Sequence, residues 1–411
     1  MFARFGVART AGATLAIGLL LGVPLSGTAT AVPQQAPATK PAADPATPAE
    51  PEATGTRLSE NVAMYPRAVR LAHNGNANGE IIASATTFTD RGGEAAIFRS
   101  TDDGASFAQV ASIPVTQQHG SPGLCCGTLF ELPQTVGELT EGTLLYAGSA
   151  GQDAGDARRM SLDIWQSSDR GTSWSYLSSC ATAPNNGGLW EPEFSVDAQG
   201  RLVCHYADET EFVDGSQRLA RVVSTDGVTW EDRQITVQSL PESTRPGMPV
   251  VRQLPNGEYL MTYEICGQPG DDGRYDCATY LRRSADGSDW GDPNDRGTML
   301  SSEAGRFFVH APTVAVTDDG TLLLVGQRLK ESDGAIAAGT GRTVMVNSDG
   351  GNGPWREIAA PVEVPDPPNE PCPNYSSALT PLAGSSTFLE IATDTDQDGV
   401  CHAYFATGSF G

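Results

Sequence analysis

The chain has 411 residues, and its 50 acidic against 26 basic side chains give a formal net charge of −24. Such a polyanion repels nucleic acid and anionic membranes, so we expect neither as a partner. The 46 glycines and 28 prolines are typical of a protein built from many strands and turns.

The N-terminal segment has the pattern of a secretion signal. Two arginines precede an apolar run, and the sequence Ala-Thr-Ala ends a predicted signal peptide at residues 1–31, which indicates a secreted, extracellular protein. The apolar run is too short and too interrupted to predict a membrane span. Residues 32–57 are rich in proline and alanine and predict a linker without a core. The remaining residues 58–411 are too many for one ordinary core, which indicates two domains or a closed repeat.

A short pattern of serine, aspartate, glycine and an aromatic residue recurs along the chain. In such a pattern the aspartate accepts bonds from backbone N–H groups, the glycine takes a positive φ, and the aromatic ring packs under the turn of a hairpin. Successive copies start 67, 57, 60 and 63 residues apart. The copies begin at Ser100, Ser167, Ser224, Ser284 and, in degenerate form, Asn347.

A second repeat is interleaved with the first. It consists of a strand, a turn with a small residue and a buried strand, and it occurs six times at about 60-residue spacing. Together the two repeats predict an all-β fold, a six-bladed β-propeller of four-stranded antiparallel blades, which we expect to be a monomer. The sixth blade lacks the short pattern, so we expect residues 61–64 to supply its outer strand and close the ring.

Two glutamates, Glu191 and Glu193, lie at the start of the third blade. A proline falls eight residues before each of three turn glycines: Pro192 before Gly200, Pro249 before Gly257 and Pro312 before Gly320. Because proline cannot donate a ladder bond, we interpret it as the first residue of each strand. This places Glu191 just outside its strand at the rim, and Glu193 inside the strand among packed residues.

A third acid, Glu264, ends the second strand of the fourth blade. The start of one strand and the end of the next share a rim in an antiparallel pair, so Glu191 and Glu264 should face one mouth from neighbouring blades. Two carboxylates so placed suit glycoside hydrolysis, in which one transfers a proton and the other attacks or stabilises the sugar. The alternative is that both acids only pair with arginines.

The same register collects candidate substrate-binding residues around the mouth. Charged groups can bond sugar hydroxyls, and aromatic rings can stack on sugar C–H faces. Two arginines of this set, Arg67 and Arg245, could clamp a substrate carboxylate, but positioning of the glutamates is favoured. The set consists of Arg67, Trp190, Asp208, Arg245, Tyr263, His310 and Tyr375.

The short repeats resemble the Asp boxes (BNR repeats) of the sialidase-like superfamily. The segments Trp190-Glu191-Pro192, RPGMPV from Arg245 and GEYLMTYE up to Glu264 resemble glycoside hydrolase family 93. This resemblance implies a retaining exo-α-L-arabinanase that acts on an oligo- or polysaccharide without a cofactor. It also implies that Glu191 and Glu264 are the catalytic pair.

Two other functions remain open at the level of sequence. An exo-sialidase needs three arginines around a sugar carboxylate and a tyrosine nucleophile, and Arg67, Arg245, Arg328 and Tyr375 could supply them. A non-catalytic carbohydrate-binding propeller would keep the aromatic pocket and could dispense with one carboxylate.

The eight cysteines of an exported chain predict disulfides. Cys266 with Cys277 would staple a loop, and Cys372 with Cys401 would staple a sheet. The neighbours Cys125 and Cys126 could bond to each other, although separate partners are favoured.

No metal site is expected from the sequence. No cysteine pair has the spacing of zinc ligands. Asp394, Asp396 and Asp398 resemble the start of a calcium loop, but Phe405 stands where a bidentate acid is needed. A turn between strands is therefore the favoured interpretation.

Overall fold

The computed structural model describes residues 53–89, 92–114, 122–211, 216–238, 244–268, 273–384 and 386–411. The predicted signal peptide and most of the predicted linker lie outside these ranges. Within them the chain forms twenty-six strands and two short 3-10 helices, Gly75–Ala77 and Gln152–Ala157. None of the described helices is long and apolar enough to cross a membrane.

The strands form six antiparallel sheets, one for each blade. The first strand in the chain, β1 (Thr56–Arg57), belongs to the sixth blade. The first blade contains β2 (Met64–Arg70), β3 (Ile81–Thr89), β4 (Gly92–Ser100) and β5 (Ala108–Ile113). The second contains β6 (Leu124–Glu131), β7 (Leu144–Ala150), β8 (Ser161–Ser167) and β9 (Ser175–Thr182). The third contains β10 (Leu189–Val196), β11 (Leu202–Asp208), β12 (Arg218–Ser224) and β13 (Glu231–Val237).

The remaining blades follow the same order, with additions to the fourth. That blade contains β14 (Arg245–Gln253), β15 (Tyr259–Cys266), β16 (Ala278–Ser284) and β17 (Thr298–Met299), extended by β18 (Phe307–Val309). The fifth contains β19 (Thr313–Val316), β20 (Leu322–Val325), β22 (Thr343–Asn347) and β23 (Arg356–Ala359), while β21 (Arg328–Lys330) pairs with β18. The sixth contains β24 (Ala378–Pro381), β25 (Thr387–Thr395) and β26 (Cys401–Ser409).

The six innermost strands form a closed ring around a central axis. Strands β2, β6, β10, β14, β19 and β24 each pack against the next, and β24 packs against β2. Buried aliphatic and aromatic residues fill the space between adjacent blades. The predicted six-bladed, all-β propeller is therefore confirmed.

The N-terminal end of the domain closes the sixth blade. Strand β1 pairs with the last strand, Thr56 opposite Phe405 and Arg57 opposite Tyr404. The expectation that residues 61–64 form this strand is wrong, because in that segment Ala63 makes a single bond to the carbonyl of Cys401, at 2.9 Å. The outer strand thus comes from the last two residues of the segment predicted as a linker.

The short repeats form tight turns between the third and fourth strands of a blade. In the first copy the Asp102 carboxylate accepts the Ser106 N–H at 3.0 Å, and Ser100 Oγ accepts the Gly104 N–H at 2.9 Å. Gly104 has φ 82°, which L side chains rarely adopt. The copy at Ser167 makes the same pair of bonds, at 2.8 and 2.9 Å.

Three disulfides link the described residues: Cys180–Cys204, Cys266–Cys277 and Cys372–Cys401. The last two are the pairs named above as possible staples of a loop and of a sheet. The expectation of separate partners for Cys125 and Cys126 is wrong, because the other six cysteines bond among themselves and leave these two as thiols.

The acidic segment near the C-terminus forms the turn between β25 and β26. Asp396 accepts the N–H groups of Asp398 and Val400 at 3.0 and 2.9 Å, and its other oxygen lies 3.0 Å from His402 Nε2. These bonds occupy the Asp396 carboxylate, as the turn interpretation requires.

A buried carboxyl group in β25 makes stability depend on pH. Glu390 is 1% exposed, and burial raises its pKa from 4.5 to about 8 although it accepts the Val362 N–H. The folded state keeps this proton while the unfolded chain releases it, so the free energy of unfolding falls as pH rises from about 4.5 to about 8. Each unit of pKa shift corresponds to about 1.4 kcal/mol.

The variant Glu390→Gln cannot ionise and is expected to lose this part of the pH dependence. The check is denaturant unfolding of both proteins at pH 5 and pH 8, with the exposed Glu303→Gln as the matched control. Equal pH dependence in wild type and Glu390→Gln would contradict the assignment.

Candidate active site

Four of the six inner strands, β2, β6, β10 and β14, have a β-bulge near their starts. The ladder register shifts between Trp190 and Glu193 in β10, and between Gly247 and Val250 in β14. In the bulges Glu191 and Met248 have left-handed backbone, with φ 54° and 57°. The other blades have left-handed residues at matching places: Tyr65, Cys126, Ala311 and Ser376. A bulge redirects side chains, and here it does so in four of the six blades.

The bulge corrects the predicted position of Glu191. The expectation that Pro192 starts the strand is wrong, because β10 begins at Leu189 and runs through both residues. Pro192 lies where the ladder is interrupted, so its missing N–H is tolerated. Glu191 is only 7% exposed, and its own N–H donates to Ser149 Oγ at 3.2 Å.

Each glutamate is held by the backbone amide of a left-handed residue in the following blade. Glu191 Oε2 accepts the Met248 N–H at 3.0 Å. Glu264 Oε2 accepts the Ala311 N–H at 2.7 Å. Glu264 on β15 lies opposite Gly247 on β14, directly beside Met248. The two carboxylates therefore lie on either side of the start of β14 and face the same mouth.

Burial and the charges of neighbouring carboxylates favour the protonated form of both acids. Burial raises the pKa of Glu191 to about 7, and the bond from Met248 opposes this rise. Burial also raises the pKa of Glu264 to about 8, and the charge of Glu191 adds to the increase. Near neutral pH Glu264 is therefore mostly protonated, while Glu191 is divided between its protonated and ionised forms.

A polar network supports the start of β14 under this pair. Arg245 contacts Glu209, and its Nη2 donates to Gln217 Oε1 at 2.9 Å. Gln217 also donates to the carbonyl of Pro246 at 3.1 Å. A Cβ on Gly247 would lie 2.6 Å from Gln217 Nε2 and 3.7 Å from Glu264 Oε1, so a side chain there would have to displace the Gln217 amide.

Three of the predicted substrate-binding residues lie at this mouth beside the glutamates. His310 shares a cluster with Glu264 in which the potential ligand atoms lie within 4.8 Å of one another, and burial lowers its pKa to about 4. The two sulfurs of that cluster are joined in a disulfide, so they cannot bind a metal as thiolates. The charges of Glu264 and Glu191 help to raise the pKa of the buried Tyr375. Arg245 lowers the pKa of Glu191, which places its positive charge beside that acid.

Four others have different surroundings. Tyr263 is completely buried and donates to the carbonyl of Arg296 at 2.6 Å, because its neighbour in the strand, Glu264, takes the opposite face. Asp208 binds Arg233 of the outermost strand at 2.8 Å.

Arg67 and Trp190 are both nearly buried. Arg67 donates to the carbonyls of Pro66 and Ser376 at 2.8 and 3.0 Å, which ties the first blade to the sixth. Trp190 is 6% exposed and lies under the Arg158 guanidinium, 5.6 Å from its ring centre. Sequence reasoning missed Tyr65 and Gln217, although Tyr65 precedes a proline as Glu191 does.

Glu193 has a structural environment, as the register predicts. It accepts a bond from Thr128 Oγ1 at 3.0 Å and pairs with Arg252. This pair lies in the wall of a cavity of about 660 Å³ formed by the later parts of the inner strands, at the end of the axis opposite Glu191.

Comparison with known proteins identifies the fold. No protein-family profile and no curated protein matches the chain. Among solved structures, the α-L-arabinanase of Penicillium chrysogenum complexed with arabinobiose is similar at TM-score 0.68 and 23% identity, over 87% of this chain and 99% of that one. The family 93 α-L-arabinofuranosidase of Fusarium graminearum with arabinobiose is similar at TM-score 0.70 and 21% identity, over 87% and 97%. At these identities the likeness shows a shared propeller fold.

Proposed function

We propose that the protein is a secreted, retaining, exo-acting glycoside hydrolase that releases arabinose-type sugars from the ends of arabinan chains. The observation that carries this proposal is the pair Glu191 and Glu264, held by backbone amides of successive blades on one mouth with raised pKa values. The arabinobiose bound by two proteins of similar fold supports the choice of sugar. Because Glu191 is buried, the end of a sugar chain can reach it more easily than the middle of a chain can.

The surroundings of the two acids support different roles. Glu264 has the higher pKa and is partly exposed, which suits the general acid. Burial raises the pKa of Glu191 to about 7, and Arg245 opposes this rise, so Glu191 has the lower pKa of the two and suits a nucleophile that reacts as a carboxylate.

Hydrolysis then takes two steps. Glu264 gives its proton to the glycosidic oxygen while Glu191 attacks the anomeric carbon, so that the carbon–oxygen bond breaks and a glycosyl ester forms. Glu264, now a carboxylate, takes a proton from water. The resulting hydroxide attacks the same carbon and releases Glu191.

Activity should depend on pH in a narrow bell. The reaction needs Glu191 ionised, which favours pH above about 7, and Glu264 protonated, which favours pH below about 8. We expect kcat/KM on linear arabinan to fall about tenfold for each pH unit outside this window. A profile that stays flat from pH 5 to 10 would contradict these assignments.

A substrate comparison tests the proposed function. The protein is incubated with linear arabinan and, separately, with sialyllactose, and the products are separated by chromatography. Release of arabinobiose or arabinose with retained anomeric configuration is expected. Release of sialic acid would instead indicate a sialidase, and binding of arabinan without any product would indicate a carbohydrate-binding propeller.

The arginines weigh against the sialidase alternative. Arg67 is occupied by two backbone carbonyls, and Arg245 is paired with Glu209. The raised pKa of Tyr375 also disfavours its use as an ionised nucleophile.

A further inference from the structure

Two adjacent thiols lie in the bulge of the second blade. All eight cysteines of the chain are among the described residues, and Cys125 and Cys126 are the two that form none of the three disulfides. Cys126 is buried, whereas Cys125 is partly exposed. Cys126 has left-handed backbone, φ 55°, and occupies the place that Glu191 occupies in the next blade.

Both thiols are connected to the groups that hold the glutamates. Cys125 lies opposite Ser149 in the ladder, and Ser149 accepts the backbone N–H of Glu191. Cys126 packs in one apolar cluster with Met248 and Ala311, whose N–H groups bind the two carboxylates. The conformation of the β6 bulge therefore affects the positions of Glu191 and Glu264.

We propose that Cys125 and Cys126 bond to each other in the exported protein, and that this bond tunes sugar binding at the mouth. No other cysteine is left as a partner for either thiol. The effect on sugar binding rests on the proposed function, whereas the formation of the bond does not.

The reaction requires a disulfide oxidant, such as oxidised glutathione. The accessible Cys125 thiolate attacks the oxidant, forms a mixed disulfide and releases one thiol. Cys126 loses its proton and attacks the Cys125 sulfur, which releases the second thiol. The oxidant gains two electrons and two protons, and the two cysteines lose them.

Closure of a ring across one peptide bond restricts the bulge of β6, whose Cys125 lies opposite Ser149 of β7. A binding site whose wall is ordered in advance loses less entropy when sugar binds. We therefore expect the oxidised protein to have a KM for arabinan about two- to tenfold lower than the dithiol form, with a smaller change in kcat.

Alkylation without reductant, followed by peptide mass analysis, tests the bond. After export, or after treatment with oxidised glutathione, the peptide with Cys125 and Cys126 should carry no alkyl group and be two hydrogens lighter than the dithiol. Alkylation of both residues under these conditions, or a persistent mixed disulfide at Cys125, would overturn the proposal.

Kinetics test the link to sugar binding. Mild reduction that opens this bond should raise KM in wild type, whereas the double variant Cys125→Ser, Cys126→Ser should not respond to reductant. An equal response in both proteins would overturn the link, since another disulfide would then be responsible. Absence of any arabinan cleavage, with the bond present by mass, would count against the proposed function and leave the bond itself established.

Discussion

Glu191→Gln is expected to lower kcat on arabinan by roughly 10⁴- to 10⁶-fold, the range found when a catalytic nucleophile is removed. The amide oxygen of glutamine can still accept the Met248 N–H, so the fold around the bulge should persist. Glycosyl-enzyme should not accumulate, and the loss should be similar for arabinan and for aryl arabinosides. Stopped assays with both substrates, together with intact-protein mass spectrometry, measure this.

Glu303→Gln is the matched control, because it makes the same chemical change on an exposed loop. It should retain wild-type activity. Thermal unfolding must show that Glu191→Gln is folded. A folded Glu191→Gln protein that keeps more than about a hundredth of wild-type kcat would remove Glu191 from the nucleophile role.

Glu264→Gln is expected to lower kcat on arabinan by about 10²- to 10⁴-fold, because the leaving oxygen no longer receives a proton. An aryl arabinoside with an acidic phenol needs no such proton, so its first step should be much less affected. The second step should then be slow, because no base activates water. Azide, which attacks without a base, should restore turnover and yield a glycosyl azide.

The two variants separate the proposed roles of the glutamates. Azide rescue in Glu264→Gln and none in Glu191→Gln on the activated substrate would support them. The reverse pattern would exchange the roles of Glu191 and Glu264. Failure of both variants to lose activity would contradict the use of this mouth.

The periodic features of the fold could be predicted from the sequence. The glycines of the turns need a positive φ, and the aspartates beside them bind backbone N–H groups, so their spacing reveals the blades. The same register places Glu191 and Glu264 near one another, because it depends only on antiparallel pairing. The packed role of Glu193 follows from the same alternation.

Local irregularities could not be predicted in this way. The bulge in β10 adds a residue to one strand without a distinctive sequence sign, since its left-handed residue is a glutamate rather than a glycine. The position of Pro192 was misinterpreted for that reason. Ion-pair partners on other strands could not be predicted either. Asp208 lies at a strand end, but its carboxylate pairs with Arg233 on β13.

The disulfide connectivity also could not be predicted from the sequence. Eight cysteines permit many connectivities, and spacing favours only those that close short loops. Cys266 and Cys277 fit that criterion. Cys180 and Cys204 join β9 to β11 across two blades, so only the packing of those blades brings them together.

The pairing of β1 with β26 determines when the ring can close. Thr56 is among the earliest residues of the domain to leave the ribosome, and its partner Phe405 is among the last. The sixth blade therefore stays incomplete until the last strand of the domain has been made, and contacts so distant in sequence form slowly. Until β1 pairs with β26, the free edge of β26 can pair with other chains or meet proteases. Folding of this domain thus ends with the pairing of its first and last strands.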